Sequence, residues 1–180
     1  MTALNAPDNF NWPLAYEAEA LLATHINAFL AQHRFAARLA LGYPDEKALL
    51  EALRGQDPLE GLAPVTDAEE VLALRREVRR VRVEEELTDY LLALARFLRG
   101  REGVRLGPSP RALLQVERLA QALALLEGRG FVLPEDLKAA FRAAIPHRLL
   151  LALEAELSGL TPEGLVEEAL EAVPAPVEAG

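Results

Sequence analysis

The segment that decides the fold is GPSPRALLQVERLAQALALLEG, residues 107–128. Ser109 followed by Pro110 is a typical helix start, because serine caps free backbone N–H groups and proline suits the first helical position. Gly128 ends the run. Between these signals leucine and valine recur at helical spacing. The pattern predicts one long helix with an apolar stripe of Leu113, Val116, Leu119, Leu123 and Leu126.

The residues before this helix carry the same spacing. Thr66 and Glu69 are predicted to form a capping box, in which each side chain bonds the backbone N–H of the other. The helix behind it has an apolar stripe of Val71, Leu74, Val78 and Val81. Another helix follows and ends at Gly100, and residues 101–107 are predicted to form a loop.

Helices are also predicted after the long helix. Pro134 begins one that ends near Ala144, residues 147–157 continue it after an interruption, and Pro162 begins the last one. Short connections between such helices predict a compact bundle of four or five helices over residues 67–158.

The remaining segments are assigned from helix propensity and from the positions of glycine and proline. Residues 14–40 have high helix propensity, and residues 45–54 are predicted to form a second helix. Residues 55–66 contain two glycines and two prolines without periodicity, which is typical of a linker. Two short segments, 81–83 and 131–133, are candidates for extended structure.

Composition limits the class of protein. The 180 residues are 51% hydrophobic and 26% charged, which is typical of a soluble globular chain. The absence of cysteine excludes disulfides, thiolate zinc sites and cysteine nucleophiles. Because the sequence shows neither a stretch of about 18 apolar residues nor a signal peptide, no membrane insertion is expected and the predicted location is the cytoplasm.

The net charge of −9 is unevenly distributed. Residues 75–111 carry ten basic and six acidic side chains, whereas residues 149–180 carry seven acidic and no basic ones. Phosphate affinity is mostly electrostatic, so a chain this acidic is a poor candidate for nucleic-acid binding. The arginines between residues 75 and 82 are interpreted as a solvated face with helical ion pairs, or as a subunit contact.

Several catalytic motifs are missing from the 180 residues. A P-loop needs Gly-Lys followed by Ser or Thr, but Lys47 follows a glutamate and Lys138 follows a leucine. His25, His33 and His147 do not have the spacing of metal ligands, so no metal site is predicted. No Ser-His-Asp arrangement for nucleophilic catalysis is recognisable.

Arg111 is the most informative functional candidate. The Ser-Pro start places it at the second position of the long helix, where free N–H groups and the helix dipole already create positive potential. A cation there is unfavourable by roughly 0.3–1 kcal/mol when exposed. Together with the N–H groups, however, it suits a phosphate. The alternatives are an ion pair with Glu135 or Asp136, or simple solvation.

Six segments between residues 38 and 173 resemble MoxR-family AAA+ ATPases in their order and spacing. The resemblance implies that residues 67–158 form the helical lid domain, which in that family follows the nucleotide-binding core. The matching segments are RLALGYP (38–44), LRREV (74–78), LTDY (87–90), VRLGPSPR (104–111), GRGFVLPED (128–136) and HRL (147–149).

The resemblance implies roles for three residues. Arg111 occupies the position of the lid's sensor-2 arginine, which reaches the phosphates of ATP bound by the core. Arg34 lies in His33-Arg34-Phe35 where the family often has Asp-Arg-Phe, and it is a candidate arginine finger for the neighbouring subunit's nucleotide. His33 departs from that pattern, so an ordinary surface arginine is the alternative. Asn5 faintly resembles the asparagine of the sensor-1 segment.

The predicted fold is all-α, a helical bundle that resembles the AAA+ lid and is preceded by a helical remnant of the core. Four units are predicted. Residues 1–44 are the core remnant with a divergent N-terminus, and 45–66 are a helix and linker. Residues 67–158 are the lid domain, and 159–180 are an acidic helix and tail.

Two functions stay open. In the first, the chain is the lid-bearing part of a MoxR-like ATPase, whose ATP hydrolysis in a ring of AAA+ subunits drives chaperone-like remodelling or maturation of protein clients. Because the P-loop and Walker-B groups are missing, the chain alone is predicted to be inactive, with ATP and Mg binding only if a complete core is supplied. The alternative is a non-enzymatic helical interaction module that binds or regulates an AAA+ ring.

Overall fold

The computed structural model describes residues 35–39, 45, 47 and 62–176, and helices dominate this part of the chain. The all-α prediction is confirmed, with the addition of one small antiparallel strand pair. None of the helices in these ranges has the length and apolar character needed to cross a bilayer. The elements are α1 (Ala68–Val78), α2 (Glu85–Gly100), β1 (Val104–Leu106), α3 (Pro110–Leu126), α4 (Pro134–Ala144), a 3₁₀ turn (Pro146–Arg148), β2 (Leu150–Leu151), α5 (Leu153–Leu157) and α6 (Pro162–Ala172).

One face each of α2, α3, α4 and α6 builds the core. Residues three or four apart share a helix face, so each helix contributes a stripe. Full burial of a large apolar side chain contributes about 1.5–3 kcal/mol, and this burial holds the four helices together. The fully buried side chains include Leu94, Leu98, Val116, Phe141 and Leu165.

Helix α1 begins differently from its prediction. The N-cap is Asp67, whose carboxylate accepts hydrogen bonds from the backbone N–H groups of Glu69 and Glu70 at 2.8 and 2.9 Å. Thr66 donates instead to the Glu70 side chain at 2.9 Å. The predicted Thr66–Glu69 capping box is therefore wrong, because a charged carboxylate that accepts two N–H groups is the stronger cap.

The apolar stripe predicted for α1 is not buried. Val71 and Leu74 are exposed, and no residue of the helix is buried. Val81, the last member of the predicted stripe, is buried but lies beyond the end of the helix. Helical spacing shows which residues share a face, but it does not show whether another element covers that face.

Helix α3 begins and ends where predicted, but its buried face turns away from the predicted stripe. Leu113 and Val116 are buried, whereas Leu126 is 83% exposed. Three of the four steps along the predicted stripe are of three residues, and each such step falls about 60° short of a full helical turn, so the stripe winds around the helix. The second half of α3 instead buries Ala120, Gln121 and Ala124.

Two segments predicted to be uniform are divided by the strand pair. Residues 101–107 contain β1 rather than only loop. Residues 147–157 contain β2 and the short helix α5 rather than one continuous helix. Antiparallel pairing, for example of Val104 with Leu151, accounts for both differences, because backbone hydrogen bonds to a distant strand replace the local helical ones.

The two candidate extended segments lie side by side. Arg82 and Phe131 form a parallel bridge. The Arg82 N–H donates to the Gly130 carbonyl, and the Val132 N–H donates to the Arg82 carbonyl, both at 2.9 Å. The predictions of extended structure at residues 81–83 and 131–133 are therefore confirmed in their centres.

The helix predicted over residues 14–40 does not include residues 35–39, which are not helical. The Arg38 N–H donates to the Ala143 carbonyl at 2.9 Å, so an open carbonyl at the end of α4 replaces a helical acceptor. Of the helix predicted over residues 45–54, Lys47 is helical and its N–H donates to Asp45 Oδ1 at 2.9 Å. The other residues before 62 lie outside the described ranges, so the core remnant, the linker and the domain boundaries stay predictions.

Candidate functional site

Arg111 lies where the sequence places it, at the second position of α3. Ser109 Oγ accepts a hydrogen bond from the backbone N–H of Ala112 at 3.2 Å, and Pro110 occupies the first position. The first turn contains no acidic residue, and Arg111 is exposed. The helix dipole and the guanidinium group therefore both contribute positive potential at this end of the helix.

The loop that leads into α3 is held by Arg99 of α2. Its Nε and Nη2 atoms both donate to the Pro108 carbonyl, at 2.9 and 2.6 Å. Gly107 packs against the same side chain, and a Cβ atom at this position would lie 2.6 Å from Arg99 Cγ. Because only glycine fits there, Arg99 can fix the start of α3 and so the position of Arg111.

The carboxylates considered as partners of Arg111 are engaged elsewhere. Asp136 accepts hydrogen bonds from Arg129 Nη1 and Nη2 at 2.6 and 2.8 Å. Glu135 Oε1 lies 3.8 Å from Lys138 Nζ, within the range of an ion pair. The Arg111 side chain makes no hydrogen bond or ion pair with any of residues 35–39, 45, 47 or 62–176. The structure therefore does not form the ion pair that was the alternative for Arg111.

A second arginine, Arg148, lies within electrostatic range of Arg111. It ends the 3₁₀ turn after α4, is only 4% exposed, and its Nε donates to His147 Nε2 at 3.3 Å. Burial, and after it the positive charge of Arg111, lower the pKa of Arg148. Arginine nevertheless stays protonated in proteins, so two positive groups repel each other here.

This arrangement suits a polyoxygen anion. Guanidinium groups bind phosphate through paired, charge-assisted hydrogen bonds, and the N–H groups of a helix start bind it as well. An anion would also relieve the repulsion between Arg111 and Arg148. A metal ion does not fit, because the described residues contain no cluster of three acidic or histidine side chains able to hold one.

The start of α4 provides an electrostatic contrast. Asp136 is buried, and its Oδ2 also accepts a hydrogen bond from the Leu133 N–H at 2.8 Å. Hydrogen bonding from Arg129, helped by the Leu133 N–H and opposed by burial, lowers the pKa of Asp136. The carboxylate therefore neutralises both an arginine and a helix start, which is a structural role.

Arg148 was not predicted from the sequence as a site residue. The available signal was a charged side chain directly before three consecutive leucines, since a charge in an apolar stretch is either solvated or buried for a reason. His147 is its hydrogen-bond partner. Arg34 and Asn5 lie outside the described residues, and their roles stay predictions.

Comparison with known proteins shows what the helical unit is similar to. Residues 96–169 match the AAA lid domain family. The chain is 36% identical over 148 residues to the uncharacterized protein YeaC of Bacillus subtilis, a match that covers 81% of this chain and 46% of that protein. It is 27% identical over 154 residues to Chaperone MoxR1 of Mycobacterium tuberculosis, covering 79% of this chain and 41% of that protein.

A solved structure shares the fold. It is that of a Cytophaga hutchinsonii protein described as a candidate ATPase, with a TM-score of 0.69 and 26% sequence identity. The match covers 83% of this chain and 49% of that one. The chain therefore spans less than half the length of each of these three relatives.

Proposed function

We propose that this chain, which corresponds to the lid-bearing C-terminal part of MoxR-like AAA+ ATPases, uses Arg111 to contact the phosphates of ATP bound by a core domain. The observation that carries the proposal is the exposed guanidinium of Arg111 at a helix start without acidic residues, close to the charge of Arg148. Phosphate provides the negative charge that this arrangement attracts.

In this proposal the chain binds and orients, and a core domain holds the reaction centre. ATP hydrolysis needs groups that hold the triphosphate and Mg²⁺ and that orient the attacking water. The 180 residues contain no P-loop lysine, and the described residues contain no cluster for a metal. ATP and Mg²⁺ therefore bind only when a core is supplied, and the chain alone is inactive. Arg111 then stabilises the negative charge on the phosphate oxygens.

The partners follow from the same proposal. Other AAA+ subunits form a ring with this chain, and Arg34 acts as an arginine finger on the nucleotide of a neighbouring subunit. Hydrolysis in the ring drives chaperone-like remodelling or maturation of protein clients. The support for this coupling is that one relative is named a chaperone. The proposed location is the cytoplasm.

A chimera tests the role of Arg111. The part of the Bacillus subtilis relative that lies outside the matched region is joined to this chain, and ATP hydrolysis is measured with and without Arg111→Ala. We expect the substitution to lower kcat on the order of 10²-fold, because it removes a donor aimed at developing charge. Arg105→Ala is the control, since Arg105 is also exposed and makes no ion pair within the described ranges.

Equal kcat values for the Arg111→Ala and Arg105→Ala chimeras would overturn the proposed role. A second measurement tests the alternative, a non-enzymatic module that regulates a ring. The full chain is mixed with an intact MoxR-like ATPase, and binding and ATPase rate are followed. Regulation of equal strength by the wild-type chain and by its Arg111→Ala variant would favour the module.

A further inference from the structure

We infer that a second copy of this chain docks on the outer face of α1, with its acidic α6 surface against the arginines of that face. This contact goes beyond the proposed function, because it requires neither a nucleotide nor a core domain. It accounts for two features that the phosphate site leaves unexplained, the exposed outer face of α1 and the concentration of acidic residues in residues 149–180.

The arginine face consists of Val71, Leu72, Arg75, Arg76 and Arg79. At 3.6 residues per turn these positions fall within an arc of about 140° around the helix. All five are exposed, with Val71 at 41% and Leu72 at 52%. The three arginines make no ion pair within the described part of the chain, and the acidic residues of α1 lie outside this arc. The face is therefore basic and partly apolar.

The acidic surface consists of Glu163, Glu167, Glu168 and Glu171 on α6. These four positions also fall within an arc of about 140°. Glu167 and Glu168 already form ion pairs within the chain. Glu163 and Glu171 form none with the described residues. The acidic surface therefore keeps two carboxylates available for another molecule.

The spacing of the charges matches between the two surfaces. Arg75 and Arg79 are four residues apart, and Glu163, Glu167 and Glu171 repeat at the same interval. Four residues correspond to about 6 Å along a helix axis. Two helices laid side by side can therefore place one of the two arginines against Glu163 or Glu171 while the other faces Glu167, which then shares its carboxylate with Arg142.

Exposed aliphatic side chains occur on α1 and on the short helix that precedes α6. Leu153 and Leu157 of α5, directly before α6 in the chain, are 64% and 80% exposed. Together with Val71 and Leu72 they offer apolar area to be buried at a contact. The expected occupant is thus an acidic, partly apolar protein surface, and this chain itself carries one.

The two surfaces meet between copies rather than within one chain. Helix α1 packs against α3, whereas α6 packs against α2 and α4. Because the two surfaces differ, the contact is head-to-tail and leaves one free surface on each end of a dimer. The structure therefore assigns this pair of surfaces to a contact that can extend beyond two copies.

The test is sedimentation equilibrium of the full chain at low and high salt. We expect self-association that weakens at high salt, because the Debye length falls from about 10 Å at 0.1 M to about 3 Å at 1 M. The double variant R75E/R79E and the double variant E163R/E171R should each lower the association constant at least about tenfold. A mixture of the two variants should restore association, because the unchanged arginine face of E163R/E171R then meets the unchanged acidic surface of R75E/R79E.

Arg96→Glu is the matched control, because Arg96 is exposed on α2 and forms no ion pair within the described residues. Circular dichroism checks that every variant is folded. A wild-type chain that stays monomeric at both salt concentrations, or double variants that associate like the wild type, overturns the proposal. Binding to phosphatidylserine vesicles that needs Arg75 and Arg79, without self-association, also overturns it and assigns the face to a membrane. None of the variants changes Arg111, so failure here leaves the nucleotide proposal untouched.

Discussion

Helices α3 and α4 begin in the same way and carry opposite charges. Each has proline at its first position after an extended residue. The first turn of α4 contains Glu135 and Asp136, which complement the helix dipole, whereas that of α3 contains Arg111 and no acidic residue. A chain that follows the dipole preference at one helix and departs from it at the next indicates function at the exception.

The loops before the two helices repeat this difference. Before α4, Arg129 donates hydrogen bonds from both Nη1 and Nη2 to the carboxylate of Asp136, which compensates its charge. Before α3, Arg99 bonds a backbone carbonyl and the Arg111 guanidinium is left exposed beside the charge of Arg148. Arg129 stabilises the fold, whereas Arg111 is the arginine that we propose contacts a phosphate.

Among the variants that compare the two helix starts, removal of the Asp136 carboxylate should have the largest effect on stability. Asp136→Ala deletes the acceptor of the Leu133 N–H and of the Arg129 guanidinium, two hydrogen bonds that are partly buried. We expect the free energy of unfolding to fall by about 2 kcal/mol, measured by urea denaturation. Glu135→Ala is the control and should change it by less than about 0.5 kcal/mol, since Glu135 is exposed. Equal effects of the two variants would contradict the structural role of Asp136.

Glycine substitutions compare the two loops directly. In Gly107→Ala the new Cβ would meet Arg99 Cγ at 2.6 Å and Arg99 Cα at 3.2 Å, so the chain must shift. We expect a loss of about 1–2 kcal/mol by thermal or urea unfolding. In Gly130→Ala, the matching change before α4, the new Cβ has no neighbour within 4 Å, and stability should be nearly unchanged. The reverse order would show that the loop before α3 is not held by Arg99.

The pH dependence of stability gives a smaller effect, which arises at the start of α4 because Asp136 lies there. The pKa of Asp136 is lower in the folded chain than in the unfolded chain, where it is near 3.9. Its stabilising contribution is therefore fully present above the unfolded pKa and is lost as the pH falls through the folded one. We expect Asp136→Asn to flatten this acid-induced loss, measured as the urea midpoint against pH. Glu167, whose pKa is lowered by its hydrogen bonds from Arg142, should contribute a further loss of the same sign.

Changes at Arg111 should have the smallest effect on stability. Arg111→Ala should stay within about 0.5 kcal/mol of the wild type, and Arg111→Glu should stabilise by about 0.5 kcal/mol because it restores the dipole preference. Thermal unfolding at low ionic strength measures both. A loss above about 1 kcal/mol in Arg111→Ala would mean that the arginine is part of the structure and would weaken its sensor role.

Helix starts could be predicted because their signals are local. The helices α3, α4 and α6 begin at Pro110, Pro134 and Pro162 as expected, since a cap and a proline lie within a few residues of each other. Burial could not be predicted equally well. Val71 and Leu126 have apolar neighbours at helical spacing but are exposed, because burial depends on which distant element covers a face.

The two arginines of the candidate site differ in the same way, because local signals predict the position of one but not of the other. The position of Arg111 follows from Ser109 and Pro110, so the sequence suffices for it. Arg148 comes near Arg111 only after the chain has passed through α3, α4 and the 3₁₀ turn. The pairing that divides residues 147–157 is equally remote in sequence. Neither contact leaves a local pattern that residue spacing can reveal.

The strand pair also sets an order of events in folding. Pairing of Val104 with Leu151 closes a long loop that contains α3 and α4. Closing such a loop costs chain entropy before its contacts repay the loss, whereas α3 and α4 associate across one short connection. We therefore expect α3 and α4 to belong to the folding nucleus and the strands to pair after the transition state. Weakening β1 or β2 should accordingly speed unfolding while leaving the folding rate almost unchanged.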